Sequence, residues 1–97
     1  MVQVRWSQQA LADLVAIGDF IARDSPSMAQ VFVDRVFAAV ERLESFPNSG
    51  RVVPELNQGN IREIIFSSYR VVYSVDAEIV NILTVFHAAK LLRRSDL

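Results

Sequence analysis

Residues 61–87 read IREIIFSSYRVVYSVDAEIVNILTVFH, and this stretch decides the fold. Three runs rich in β-branched and aromatic residues, Ile61 to Phe66, Tyr69 to Val75 and Ile79 to His87, are parted only by Ser67 and Ser68 and by Asp76, Ala77 and Glu78. Runs of this length and composition are strands. Loops so short join only antiparallel neighbours, because a parallel connection needs roughly a dozen residues. Upstream, Phe46 to Gly59 carries Pro47, Asn48, Gly50, Pro54, Asn57 and Gly59. That density of turn formers predicts a loop with room for one short extended piece at Arg51 to Val53.

Earlier in the chain the apolar period changes from that of a strand to that of a helix. Between Gln8 and Arg23, the residues Ala10, Leu11, Leu14, Ile17, Gly18 and Ile21 gather on one side of a helical projection, with Ser7 placed as the N-cap. Ser25 and Pro26 open a second helix, since proline at the first helical position gives up an N–H that has no partner there. Its stripe of Met28, Ala29, Phe32, Val36, Ala39, Val40 and Leu43 predicts a helix to about Ser45. Before both helices, Val2, Val4 and Trp6 alternate with Gln3 and Arg5, which reads as a strand with one buried face. The expected fold class is α+β in the order β-α-α-β-β-β, a helical hairpin packed on a small antiparallel sheet.

With 97 residues, 52% of them hydrophobic and 22% charged, the chain is expected to form one domain over residues 1–97. There is no cysteine, which excludes disulfides and thiolate metal sites. No apolar run approaches the roughly 20 residues that cross a bilayer, and Met1 to Trp6 lacks the apolar stretch of a signal peptide. A cytoplasmic location away from membranes is expected. The net charge of −1 gives no overall pull toward a polyanion, so direct DNA binding is not expected. Residues 1–50 hold four Arg against six acids (net −2), and residues 51–97 hold six basic against five acidic groups (net +1). An anion-facing surface therefore belongs to the second half.

Chemistry-bearing residues are few: one His, one Lys and no Gly-rich phosphate loop. No metal and no cofactor are expected, because His87 has no second imidazole or thiolate with which to share a cation. Arg62 and Arg70 stand among apolar strand residues. Two readings stay open for them: ion pairs with Glu55, Glu63 or Glu78 on a solvated face, or a site for an anion or a partner. Phe20 on the first helix, and Val31 and Phe37 on the second, project among polar residues. Either they are isolated exposed hydrophobes or another protein covers them.

The order Gly50, Arg51, Pro54, Glu55, Leu56, then Arg62, Glu63, Tyr69, Arg70, Val71, Tyr73, and finally Ile82 through His87 resembles the RelE/ParE toxin superfamily. Trp6 and Ser7 entering a helix with Ala10, Asp13 and Ile17, and Asp24, Ser25 and Pro26 opening the next, extend that resemblance over nearly the whole chain. It implies a toxin of a type II toxin–antitoxin system, a role in plasmid stabilisation, and a cognate antitoxin as partner, for which Phe20, Val31 and Phe37 are the candidate contacts. The ParE branch is associated with poisoning DNA gyrase and the RelE branch with cleaving mRNA in the ribosome. RNA cleavage needs a base, an acid and cations on the scissile phosphate. Only Arg70, His87 and Lys90 are candidates for those roles, and no aromatic residue follows Phe86. That supply favours the ParE-like reading, with Arg70, Lys90, Arg93 and Arg94 as target-binding candidates. The alternatives are the ribosome-dependent endoribonuclease and a non-toxic interaction domain of the same fold.

Overall fold

The computed structural model describes residues Met1–Leu97. Strand β1 (Gln3–Trp6) leads into helices α1 (Gln8–Ala22) and α2 (Pro26–Glu41), and the last turn of α2 tightens into a 3-10 turn over Arg42–Glu44. After the loop come β2 (Arg51–Val52), β3 (Ile61–Phe66), β4 (Tyr69–Asp76) and β5 (Ile79–His87), and a second 3-10 turn spans Arg94–Asp96. The caps are the expected ones. Ser7 Oγ accepts the Ala10 N–H at 3.0 Å and donates to Leu83 O, which ties the start of α1 to a strand; Ser25 Oγ accepts from Met28 N ahead of Pro26.

The strands lie in the order β1-β5-β4-β3-β2. Antiparallel pairing runs from β2 to β5 as the short loops require, while β1 pairs with β5 in parallel, Gln3 beside Ile79 and Trp6 beside Ile82. The sheet is thus mixed where an antiparallel one was expected. Loop length constrains consecutive strands only, and between β1 and β5 the chain passes through the helical hairpin, the loop and three further strands. Beyond Trp6, where β1 stops, the backbone of β5 finds a substitute acceptor: the Asp13 carboxylate on α1 takes the Val85 N–H at 3.1 Å and the Thr84 hydroxyl at 2.6 Å.

One face of the sheet carries the hairpin. Ala10, Leu14, Phe32, Val36, Val40 and Leu43 pack on Val71, Tyr73, Val80, Ile82 and Val85, all nearly inaccessible to water. A register shift places Tyr73 beside Ile82 but Val72 beside Thr84, so β5 carries one extra residue there, and Ile82 and Val85 both reach the helical side. Two residues of the expected stripes depart from it: Leu11 is 42% and Met28 56% exposed, because each lies at the margin of its stripe and no third layer covers the hairpin. The second face has a smaller apolar cluster of Val53, Ile61, Val72 and Leu92, with no helix over it.

Candidate functional site

The second face is where the spacing of the charged residues in the loop and strands becomes geometry. Strand alternation puts Glu63 on β3 and Arg70 on β4 on the same side as Ile61 and Val72. The turn after Val53, closed by the Leu56 and Asn57 N–H groups on Val53 O, swings Glu55 toward them. Arg70 Nη1 and Nη2 form a fork on the two Glu55 oxygens at 2.6 and 2.8 Å, and Nε meets Glu63 Oε1 at 2.6 Å. Nη2 also lies 2.5 Å from Glu63, Nη1 reaches Lys90 O at 3.3 Å, and the Phe86 ring lies 5.0 Å from the guanidinium carbon. Arg51 completes the set with Nε on Glu63 Oε2 at 2.5 Å. Two guanidiniums face two carboxylates, so the cluster is neutral, and its geometry offsets the desolvation that burial imposes.

Glu63 has no exposed side-chain surface, and Arg70 has 5%. The fork from Arg70, aided by the Leu92 N–H, holds the Glu55 carboxyl down at about 2 against the opposing effect of burial. The same two carboxylates raise Arg70 further above its ordinary value, the Glu55 hydrogen bond first and Glu63 next after desolvation opposes it. Arg70 was expected to contact a target or a phosphate; instead each of its guanidinium nitrogens is committed inside the protein. The ion-pair reading holds for Arg70 with Glu55 and Glu63, though these pairs are buried and not on a solvated face; Glu78 takes no part, and Arg62 meets backbone carbonyls instead of an acid.

Arg62 points to the other side, its Nη1 donating to Asn48 O and Gly50 O while Nε has no partner. Gly50 is pressed into this corner: its N–H donates to Tyr73 OH at 2.9 Å, and a Cβ there would sit 2.6 Å from both Glu63 O and Tyr73 OH. Burial pushes the Tyr73 phenol up, so it stays protonated. His87 is exposed at the end of β5, edge-on to Tyr69, with Nδ1 accepting the Ala89 N–H at 3.1 Å. With Nδ1 engaged by that N–H, only Nε2 of the ring is left facing outward.

The basic tail is exposed but ordered by contacts. Lys90 Nζ lies 3.8 Å from Asp96, Arg93 Nε 3.9 Å from the same carboxylate, and Arg94 donates to Gln58 at 2.9 Å. His87, Arg70 and Lys90 do not converge on one empty point, since Arg70 is covered and Lys90 leans on Phe86 and Asp96. The three apolar candidates are indeed exposed: Phe20 by 61%, Val31 by 37% and Phe37 by 41%. They occupy separate places. Phe37 packs on Trp6 and borders a cleft of about 350 Å³ between the helices with Leu11 and Val15, whereas Val31 borders another, with Met28 and Phe66, beside the β3–β4 turn. Sequence reasoning missed Arg51, Asp13 and Asp96 as partners; nothing local to any of them signals the group it meets.

This fold and arrangement have known relatives. Residues 4–92 match the ParE toxin family of type II toxin–antitoxin systems, parDE. Toxin RelE2 of Caulobacter vibrioides is 38% identical over 92 residues, which is 94% of this chain and all of that protein. Among solved structures, the chromosomal ParDE toxin–antitoxin system from P. aeruginosa superposes with a TM-score of 0.74 at 23% identity, over 90% of this chain and 96% of that one. The RelBE2 toxin–antitoxin complex from Mycobacterium tuberculosis gives 0.54 at 22% identity, over 89% and 96%. The fold is that of the RelE/ParE toxin superfamily. This chain belongs to the ParE toxin family of type II systems within it.

Proposed function

We propose that this chain acts as a ParE-like toxin, inhibiting DNA gyrase by binding and not by chemistry, and that a cognate antitoxin neutralises it. The observation that carries this reading is the fate of Arg70, whose nitrogens all serve Glu55, Glu63 and the Lys90 carbonyl, leaving none to neutralise a scissile phosphate. Without that cation, exposed His87 stands alone as an acid and lacks a base opposite it. Target contact then falls to Lys90, Arg93 and Arg94. The antitoxin covers Phe37 and its cleft, with Val31 and Phe20 as further contacts, since exposed apolar side chains bordering a groove suit an amphipathic helix.

Pulse labelling after induction tests the mechanism. Early loss of DNA synthesis with intact transcripts is expected; early loss of translation with new cleavage ends on ribosome-associated mRNA would overturn it. The RelE-like alternative takes its support from the relative named Toxin RelE2 and from the solvent-facing His87 beside Tyr69. In that case His87→Ala abolishes toxicity, whereas the ParE-like reading expects it to be retained. A chain that leaves both labels unchanged would be the non-toxic interaction domain.

A further inference from the structure

We propose that Arg70 and Glu55 are positioning residues, a clamp that holds residues 88–97 on the helix-free face and so fixes where Lys90, Arg93 and Arg94 are displayed. The inference rests on the reading above that this tail meets the target. Its geometry stands independently. Two residues apart on the tail backbone, the Lys90 carbonyl accepts from Arg70 and the Leu92 N–H donates to Glu55 Oε2 at 2.9 Å. At the second of these anchors the Leu92 side chain, 3% exposed, drops into the cluster with Val53, Ile61 and Val72.

No regular structure orders the tail between His87 and Arg94, so its shape comes from these anchors. Downstream, Asp96 gathers the charged groups: it faces Lys90 Nζ and Arg93 Nε, accepts the Arg93 N–H at 2.9 Å, and receives Gln9 on its carbonyl at 3.0 Å. A tail already ordered loses less freedom on binding than a loose one with the same three charges. Arg70 would thus matter for toxicity while touching nothing outside its own chain.

Glu55→Gln separates this role from direct contact, because the two make opposite predictions. If Arg70 met the target itself, weakening its carboxylate partner would leave toxicity intact or raise it. The clamp predicts that amide exchange across residues 88–97 speeds up roughly tenfold to hundredfold while α1 and α2 keep their protection. Growth inhibition on induction should fall to the level of a Lys90→Gln, Arg93→Gln, Arg94→Gln variant, and adding Glu55→Gln to that triple variant should change nothing more, which a general loss of stability would not reproduce. Should Glu55→Gln fail to fold, Leu92→Ala loosens the tail without touching the ion pairs; tail release with full toxicity would overturn the proposal. Unchanged exchange in Glu55→Gln overturns the clamp and leaves the toxin reading standing. A parent chain without toxicity removes the target role together with that reading, whatever the exchange shows.

Discussion

On its helix-covered face the sheet presents Val71, Tyr73, Val80, Ile82 and Val85 to a tight layer of helical side chains; on the other, Glu63 and Arg70 lie beside Ile61 and Val72 under a strip of irregular tail. These named residues are nearly inaccessible to water on both faces. The first face is held by apolar area and shape, which tolerate small errors because no single contact is indispensable. The second is held by charges taken out of water, which stay favourable only while every partner is present. The faces should therefore fail differently: gradually where the helices pack, abruptly where the ion pairs lie.

The largest expected effect tests that abruptness. Glu63→Ala takes from Arg51 its only carboxylate and leaves Arg70 with Glu55 alone, so the cluster carries an uncompensated positive charge, and it should cost about 3–5 kcal/mol in denaturant unfolding. Glu63→Leu combined with Arg70→Met removes both charges together, and a cost below that of the single variant would show that the pairs specify geometry more than they stabilise it. A cost equal to the sum of the singles would break the contrast. On the helical face, Leu43→Ala, at a site with no exposed surface, should cost about 2–5 kcal/mol by the same measurement, with the protein still folding cooperatively.

Gly50→Ala lies between the two faces, since its added methyl meets the Glu63 carbonyl and the Tyr73 hydroxyl at once. A loss of about 1–3 kcal/mol is expected, and a neutral result would mean the corner can open. Acid gives the smallest and most selective effect. Glu55 is ionised to about pH 2 when folded, below its unfolded value near 4.3, so its contribution is whole above that unfolded value and disappears as pH falls through about 2. The melting temperature should drop across that window, and less so in Glu55→Gln, which is already less stable at neutral pH. An identical acid profile for the two proteins would remove Glu55 from the account.

Much of the helical face was legible in the sequence, because apolar periodicity reports burial directly: the strand runs, both caps and the stripes, apart from Leu11 and Met28, lie where alternation and capping chemistry place them. The parallel partner of β1 was not legible, since nothing local marks residues so far apart as neighbours. The second face was legible only in its parts. Arg70 stands out as a charge in an apolar run, and Glu55 and Glu63 are visible acids, but their meeting depends on the turn after Val53, and the Arg51 contact has no pattern of its own. Exposure of Phe20, Val31 and Phe37 followed from the helical projection, yet the separation of Val31 and Phe37 into different grooves required the neighbouring Trp6 and Phe66.

The parallel pairing of β1 with β5 also bears on the order in which the protein comes into being. Gln3 leaves the ribosome first but has no ladder partner until Ile79 has been made, and the hydrogen bond from Ser7 to Leu83 waits for residues later still. Closing so long a loop is slow, and until it closes one edge of β5 stays open and the N-terminal strand is an unpaired, apolar segment. During synthesis α1 and α2 can associate early through local contacts, while the sheet, and with it the tail seated on Leu92, assembles only near the end of translation. A nascent chain is therefore incomplete on its polar face for most of its synthesis. On the toxin reading, that delay sets a minimum interval between the start of translation and the first molecule able to act.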